Sequence, residues 1–488
     1  MRILCLALAA SLTACAVGPD YQRPSLPEGV SAPAFKEGSD WKPAAPGSVD
    51  AGQPWWTAFG DRRLNDLVDE ANRANQDVRV AEAQYREAQA LVQNARSALF
   101  PTLGADASVN RGQSQTVLGP KLGNSHAWSL QAGWEADIWG RARRGIEGAS
   151  DNAQASEADL AAARLAIQAE VVSDYILLRV ADTQQQLYAR TVEAYQKSLQ
   201  ITQSQYRAGV ATRADVELAN TTLQSTQAQA IDIELARRQA EHAIAVLLGR
   251  APAGFSIAPD SFALTLPQVP AVVPSELLER RPDIAAAERR VASANAGIGV
   301  AQAARYPTLA LSAAGGFSGS GFGPWFSTPD RVWALGAALA GTIFDGGLRA
   351  SQVEQSRAVF DASAATYRKT VLSGFQEVED NLAALSLLAQ ERGVQDGAVR
   401  SARNAERVTL SQFRAGTTPY LAVITAQALA LNNERTALQL QGRQYAASVA
   451  LIKAVGGGWD ASQLLAATGA SPTAPSAAAS GPVASTNE

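Results

Sequence analysis

The sequence predicts a mixed α/β membrane protein in which short amphipathic strands feed into helices far longer than a compact domain uses. Three observations carry this. In residues 128–138, Trp128, Leu130, Ala132, Trp134, Ala136 and Ile138 alternate with Ser129, Gln131, Gly133, Glu135 and Asp137, the pattern of a strand with one dry and one wet face. After Gly140 the period changes to a helical one that persists to about Arg207, whereas helices in globular domains average about a dozen residues. Finally, the same sequence of signals returns about 206 or 207 residues later, as expected of an internal duplication.

Composition narrows the classes. The 488 residues carry 42 basic and 46 acidic side chains, a net charge of −4, which leaves no basic footprint for nucleic acid. No run of eighteen apolar residues occurs, so no transmembrane helix is expected. Arg2, the apolar run Ile3 to Leu12 and the small residues before Cys15 describe an export signal over residues 1–14. Leu12-Thr13-Ala14-Cys15 is similar to a bacterial lipoprotein box. That resemblance makes Cys15 the first mature residue and its lipid carrier, and Ala16 after it favours the outer membrane. Cys5 leaves with the signal, so the mature chain has no internal disulfide to form.

Residues 15–60 read as an extended, lipid-anchored segment leading into an equatorial region. The first unit spans 61–250. A helix runs from about Asp61 to Ala98 and stops at Phe100-Pro101; strands follow at 101–111 and 128–138, with 112–125 as their connection. A long helix covers about Arg141 to Arg207, and beyond Gly209 a shorter one covers about Arg213 to Leu248. Residues 251–275 form a Pro-rich connector. The second unit spans 276–456, with strands at 308–317 and 332–344, a long helix from Gly347 to Arg414 and a shorter one after it. Residues 457–488 are a C-terminal equatorial segment and a tail too poor in apolar residues to fold. Matching residues include Asp77 and Asp283, Phe100-Pro101-Thr102-Leu103 and Tyr306-Pro307-Thr308-Leu309, Gly140 and Gly346, and Gly209 and Gly416.

Strands of this length suit a tilted membrane crossing, and Phe100, Trp128, Trp139, Tyr306, Trp325, Phe326 and Phe344 lie where an interfacial aromatic girdle would be. Four strands cannot close a barrel, and an open edge in lipid strands backbone donors and acceptors. If these strands cross a membrane, several chains must pool them; the alternative reading of the residues is a soluble four-stranded sheet. The long helix, roughly 67 residues at ~1.5 Å each, reaches roughly 100 Å, about the summed length of the two shorter helices of its unit, so one continuous helix lies beside two stacked ones. Leu160/Ile167 and Leu165/Val172 give it two apolar seams and hence a neighbour on each side.

Taken together, these residues resemble the outer membrane efflux protein family of TolC/OprM/NodT-like channel lipoproteins over about residues 15 to 458. The motifs are Cys15-Ala-Val-Gly-Pro-Asp-Tyr-Gln-Arg-Pro24, Trp55-Trp56-Thr-Ala-Phe-Gly-Asp61, Trp134-Glu-Ala-Asp-Ile-Trp-Gly-Arg141 and Pro274-Ser-Glu-Leu-Leu-Glu-Arg-Arg-Pro-Asp-Ile284. The resemblance implies a homotrimer with a twelve-strand outer-membrane β-barrel, four strands per chain, continuing into a periplasmic α-helical barrel. It implies a passive exit duct for drugs or other small molecules, not an enzyme. Its partners would be a periplasmic adaptor and an inner-membrane pump of the resistance–nodulation–division type. It needs no cofactor beyond the lipid on Cys15. The alternatives are the outer channel of a type I protein-secretion system and, in a different class, a lipid-anchored coiled-coil scaffold without a pore.

The same resemblance makes Arg207, Gly209, Val210, Arg414, Gly416 and Thr417 the periplasmic tip that meets the adaptor. Gly209 and Gly416 also read simply as left-handed helix caps. Relatives often carry an acidic residue where this chain has Thr425, so a charged constriction gives way to Tyr420 and Leu421 as steric candidates. Arg281-Pro282-Asp283 reads as a helix start, and the glycine-rich run from Gly315 to Gly323 as the loop between the third and fourth strands. Asp106, Glu135 and Asp137 fall on wet strand faces. His126 and His242 lie far apart in sequence, and no HExxH motif is present, so neither a metal site nor a histidine-based triad is expected.

Overall fold

The computed structural model describes residues 16–26, 35–38, 54–116, 119–267, 280–320 and 328–459. Cys15, the signal segment, Trp325, Phe326 and the tail after Trp459 lie outside the described residues.

Two units of the same element order follow one another. In the first, α1 (Arg62–Ala74) and α2 (Gln76–Ser97) precede β1 (Thr102–Thr116) and β2 (Gly119–Ala136), then α3 (Arg141–Arg207) and α4 (Arg213–Leu247). In the second, α5 (Pro282–Ala303) precedes β3 (Thr308–Ser320) and β4 (Arg331–Ala340), then α6 (Leu348–Arg414) and α7 (Tyr420–Ala454). The lengths agree pairwise: 22 residues for α2 and α5, 67 for α3 and α6, 35 for α4 and α7.

The expected helix 61–98 is in fact two. Asn75 is extended, and its side chain accepts from the backbone N–H groups of Asp77 and Val78, capping α2 where a single helix would have run through. β1 runs on past 111 to Thr116 and β2 begins before 128 at Gly119, so the expected connection 112–125 is mostly paired ladder, with Gly112 opposite Gly123 and Thr116 opposite Gly119. Glycines and small polar residues disguise this part, because pairing needs only backbone groups. Gly315 to Ser320, expected in a loop, belongs to β3. Gly316 is there because a Cβ would lie 2.0 Å from the Trp128 carbonyl oxygen. β2 ends at Ala136 rather than 138, and β4 at Ala340 rather than 344. Gly341 is pressed against the Pro307 ring, and a proline has no N–H with which to extend the ladder.

The four strands form one antiparallel sheet in the order β1-β2-β3-β4, with β1 and β4 as free edges. Register brings like faces together. Ala107 pairs with Trp128, Trp128 with Phe317, and Phe317 with Arg331; Ala105, Leu130, Gly315 and Trp333 form the next row, then Leu103, Ala132, Ala313 and Leu335. A slip of one residue in any pair would turn its apolar set over. Every β4 side chain is exposed in the single chain. No described helix is long and apolar enough to cross a membrane.

Below the sheet the helices form a wall. α2 and α4 pack along one side of α3, α5 and α7 along the other, and α6 lies beyond α5 and α7. This is the expected arrangement of a continuous helix flanked by stacked pairs. Leu160, Leu165, Ile167 and Val172 are all buried, so both seams are used. Around the midpoint, Trp55, Trp56, Phe59, Leu64, Leu67 and Val68 join α3 and α7 in the largest core.

Candidate functional site

Three regions carry functional geometry: the strand-to-helix junction, the equator and the tip. At the junction Gly140 precedes α3 with φ 80°, a conformation that favours glycine. Space dictates it as well, because a Cβ would lie 3.0 Å from Ala16 Cα. Asp137, expected on the wet strand face, lies beyond the strand. Its carboxylate accepts from the N–H groups of Ala142 and Arg143 at 3.0 Å each and pairs with the Arg143 side chain at 3.2 Å, an anion at the positive end of a helix. Asp345 does the same work for α6, accepting from Gly347 and Arg349 N–H at 3.0 and 3.3 Å. The counterpart of Gly140 as the residue before the long helix is Gly347 at φ 92°, not Gly346.

The N-terminal segment descends from this junction along the wall. Val17 N–H donates to Trp139 O at 3.1 Å. Arg144 donates to Asp20 at 2.8 Å and to Glu147, and Asn295 Nδ2 to Pro19 O at 2.9 Å. Tyr21 OH donates to Glu288 Oε1, Arg368 to Ser25 O, and further on Glu379 accepts from the N–H groups of Lys36 and Glu37. Gly18 and Gly299 touch backbone to backbone. The residue following Cys15 therefore sits at the level where strands become helices. Within this grip, burial raises the Asp151 carboxyl to about 6, with Arg289 opposing the shift. Lower on α3, Asp174 is also raised to about 6, by burial and then by the charge of Glu170.

At the equator the short helices meet end to end. The α4 terminus abuts the start of α2, where Asn75 Nδ2 donates to Leu247 O at 2.9 Å. The α7 terminus abuts the start of α5, where Arg281 Nη1 donates to Ala454 O at 3.1 Å and the same guanidinium holds Asp283 and Glu377, each at 2.7 Å. The expected helix start at Pro282 is observed, but Arg281 does more than precede it. Beside the first of these junctions, buried Asp182 accepts from Arg179 at 2.9 Å, Arg237 at 2.6 Å and Asp260 N–H at 3.2 Å. The two arginines also donate to Ala258 and Ile257 carbonyls. The cage fastens the Pro-containing connector to α3 and α4. No local sequence pattern announced it, since its members come from three separate segments.

The tip joins turns that are far apart in sequence. Each long helix ends in a Schellman motif. Gly209 N–H donates to Tyr206 O and Val210 N–H to Gln205 O, both 2.9 Å; Gly416 and Thr417 N–H donate to Phe413 O and Gln412 O, both 3.0 Å. φ is 76° at Gly209 and 75° at Gly416. Arg207 and Arg414 are exposed, as is Val210, and the Thr417 hydroxyl is spent on Gln412 O. The turns are side by side because Ala219 from α4 shares one apolar cluster with Phe413, Tyr420 and Val423. Tyr420 is therefore corrected as a pore constriction: it is 3% exposed, its ring lies tilted 5.3 Å from that of Phe413, and burial raises its hydroxyl to about 12. Leu421 and Thr425 are exposed, although the Thr425 hydroxyl bonds back to Leu421 O at 2.9 Å. Among the described residues no cluster of three metal-binding side chains occurs.

The comparisons with known proteins agree with this geometry. The family model described as "Outer membrane efflux protein" matches residues 67–250 and 273–457. The chain is 31% identical to the outer membrane protein OprJ of Pseudomonas aeruginosa over 470 residues, covering 93% of this chain and 95% of that one. It is 29% identical to the solvent efflux pump outer membrane protein SrpC of Pseudomonas putida over 460 residues, 93% and 97% of the two chains. Among solved structures, the outer-membrane channel OprN superposes with a TM-score of 0.84 at 30% identity, covering 91% of this chain and all of that chain. The Neisseria gonorrhoeae MtrE channel superposes with a TM-score of 0.80 at 27% identity, covering 92% and 99%.

Proposed function

The chain belongs to the outer membrane efflux protein family, and from that premise we propose how it works as the exit channel of an efflux system. Three copies pool their sheets into a twelve-strand barrel, and their helical walls close into a tunnel below it. The observation that carries this reading is the sheet itself, whose apolar faces are aligned across all four strands while its two edges are free. β1 leads away from the helices and β4 returns to them, so β1 of one copy meets β4 of the next antiparallel, like every internal pair. Closure removes the free edges, as lipid demands. The helical edges match: Ile231 and Leu235 on α4 and Leu387 and Val394 on α6 are each more than half exposed in the single chain and meet across copies.

Cys15 carries the lipid, which the position of Ala16 against Gly140 supports. The anchor then enters the bilayer where the barrel leaves it. Arg207, Gly209, Val210, Arg414, Gly416 and Thr417 present the tip to a periplasmic adaptor, which connects to an inner-membrane pump of the resistance–nodulation–division type. Leu421, with Thr425 one turn on, narrows the tunnel there by bulk rather than by charge. Cargo is drugs or other small molecules, driven by the pump.

The test is the assembly state of the full-length protein in mild detergent together with conductance in a planar bilayer. Three chain masses and a stable open-channel current are expected, and a non-conducting monomer would sink the shared-barrel reading. For the anchor, labelled palmitate should enter the wild type and not Cys15→Ser, and equal labelling would refute it.

A further inference from the structure

The apolar sheet face is not alike at its two ends. Toward the helices it ends in aromatic residues whose polar atoms are already satisfied by backbone: Trp134 Nε1 donates to Leu99 O at 3.1 Å and Trp139 Nε1 to Pro307 O at 2.7 Å, with Trp139 stacked 4.7 Å from Tyr306. Toward the far end there is again an aromatic row, Trp128 and Phe317 with ring centres 6.4 Å apart, and Trp333 beside it. Beyond or within that row, on the same face by strand alternation, stand Arg111 on β1 and Arg331 on β4, the latter directly opposite Phe317. Both are exposed, and neither is held in an ion pair among the described residues. The carboxylate next in sequence, Asp330, is placed beside Gly319 and the His126 ring.

A guanidinium on a lipid-facing strand is costly at the bilayer midplane and nearly free at the interface. Its position at the far end of the apolar face puts it at the interface, where the available anions are lipid phosphates. Arginine is the side chain that grips a phosphate bidentately. Resting on the proposed barrel, we infer that Arg111 and Arg331 form a phosphate-binding rim for the phosphorylated glycolipid of the outer leaflet. In a closed trimer the rim comprises six guanidinium groups. The rim fixes the height of the channel in the membrane from outside, as the lipid anchor does from inside.

The experiment uses full-length protein in liposomes, with flotation establishing insertion before anything else is read. Retained lipid is then counted by native mass spectrometry for wild type, Arg111→Gln/Arg331→Gln and Arg111→Lys/Arg331→Lys. The liposomes contain the bis-phosphorylated glycolipid, its dephosphorylated form, or phosphatidylglycerol. Wild type should retain the phosphorylated glycolipid roughly thirtyfold better than the glutamine variant, at about fivefold per cation near the surface, with partial recovery in the lysine variant. Equal retention by wild type and the glutamine variant, or no loss on dephosphorylation, overturns the rim. Retention of phosphatidylglycerol as strong as of the glycolipid overturns the assignment to that lipid. Failure of the wild type to float would instead count against the barrel reading on which the rim rests.

Discussion

The two units of this chain share element order and helix lengths, yet hold their equators together by different chemistry. In the first unit a neutral amide, Asn75, caps α2 and reaches the last carbonyl of α4. In the second, 206 residues on, the same place holds Arg281, which reaches the α7 carbonyl at Ala454 and two carboxylates that remain 40% and 52% exposed. Beside the first junction lies the buried Asp182 cage. The cage also includes Glu241, which pairs with Arg237 at 3.4 Å. The counterparts 207 residues on from Asp182, Arg237 and Glu241 are Ala389, Gln444 and Ser448; Gln444 is held by Arg392, and Ser448 is fully buried. The first unit fastens the connector that follows it with buried charge. One backbone plan thus tolerates neutral and ionic solutions at equivalent positions, provided each exposed helix-end carbonyl is met.

The largest test of this contrast is Asp182→Ala, which leaves the buried Arg179 guanidinium without its carboxylate and Arg237 with Glu241 alone. It should cost about 3 kcal/mol, the low end for a broken buried pair because Arg237 keeps Glu241 at 3.4 Å, read as a fall in denaturation midpoint, whereas Ala389→Ser in the second unit should change little. A full-sized effect at both sites would erase the distinction between the units. Next come the junctions. Asn75→Ala removes a cap worth about 1 kcal/mol and a buried hydrogen bond worth about 1 kcal/mol, a loss that should not depend on salt. Arg281→Ala should lose a similar amount at low ionic strength and less at high salt, because its carboxylate partners are solvent-accessible. Identical salt responses would refute the division into neutral and ionic joints.

At the tips the units should behave alike. Gly209→Val and Gly416→Val each force a β-branched residue to φ near 75°, costing about 1–2 kcal/mol and reducing efflux, measured as drug sensitivity of cells with equal channel abundance. Normal efflux in both would remove these turns from the functional tip. The smallest effect is that of pH. Asp151 and Asp174 have folded pKa values of about 6, above the ordinary 3.8. The folded state therefore binds the extra protons between pH 6 and 4, and stability from these groups rises as pH falls through that window. Asp174→Asn should raise the melting temperature at pH 7.5 and lose that advantage near pH 4. The opposite pH trend would show that the carboxylate is stabilised, not penalised, by its site.

Much of this was readable in the chain because it is governed by local rules. Strict alternation at Trp128 to Ala136, period changes at Gly140, and glycines at 209 and 416 each follow from one residue's neighbours. The recurrence at 206–207 residues doubled every one of those signals. What escaped reading was whatever depended on a distant partner. Residues 112–125 looked like a loop until paired, Asn75 looked helical until Leu247 arrived, and Asp137 looked like pore wall until the α3 amides turned toward it. Tyr420 could be placed after the second turn from sequence, but its burial depended on Ala219, from the other hairpin. The family resemblance supplied the efflux role, which alternation and helix length alone cannot distinguish from other membrane ducts.

The sequence by itself determined the strand faces and the positions of the helix stops, because side-chain periodicity and backbone hydrogen bonding are properties of the chain. Only the tertiary structure decided the register that sets Trp128 opposite Phe317, the partners of Asn75 and Arg281, and the union of the two tips. Those depend on which surfaces meet, and surfaces meet only after the helices and strands have packed.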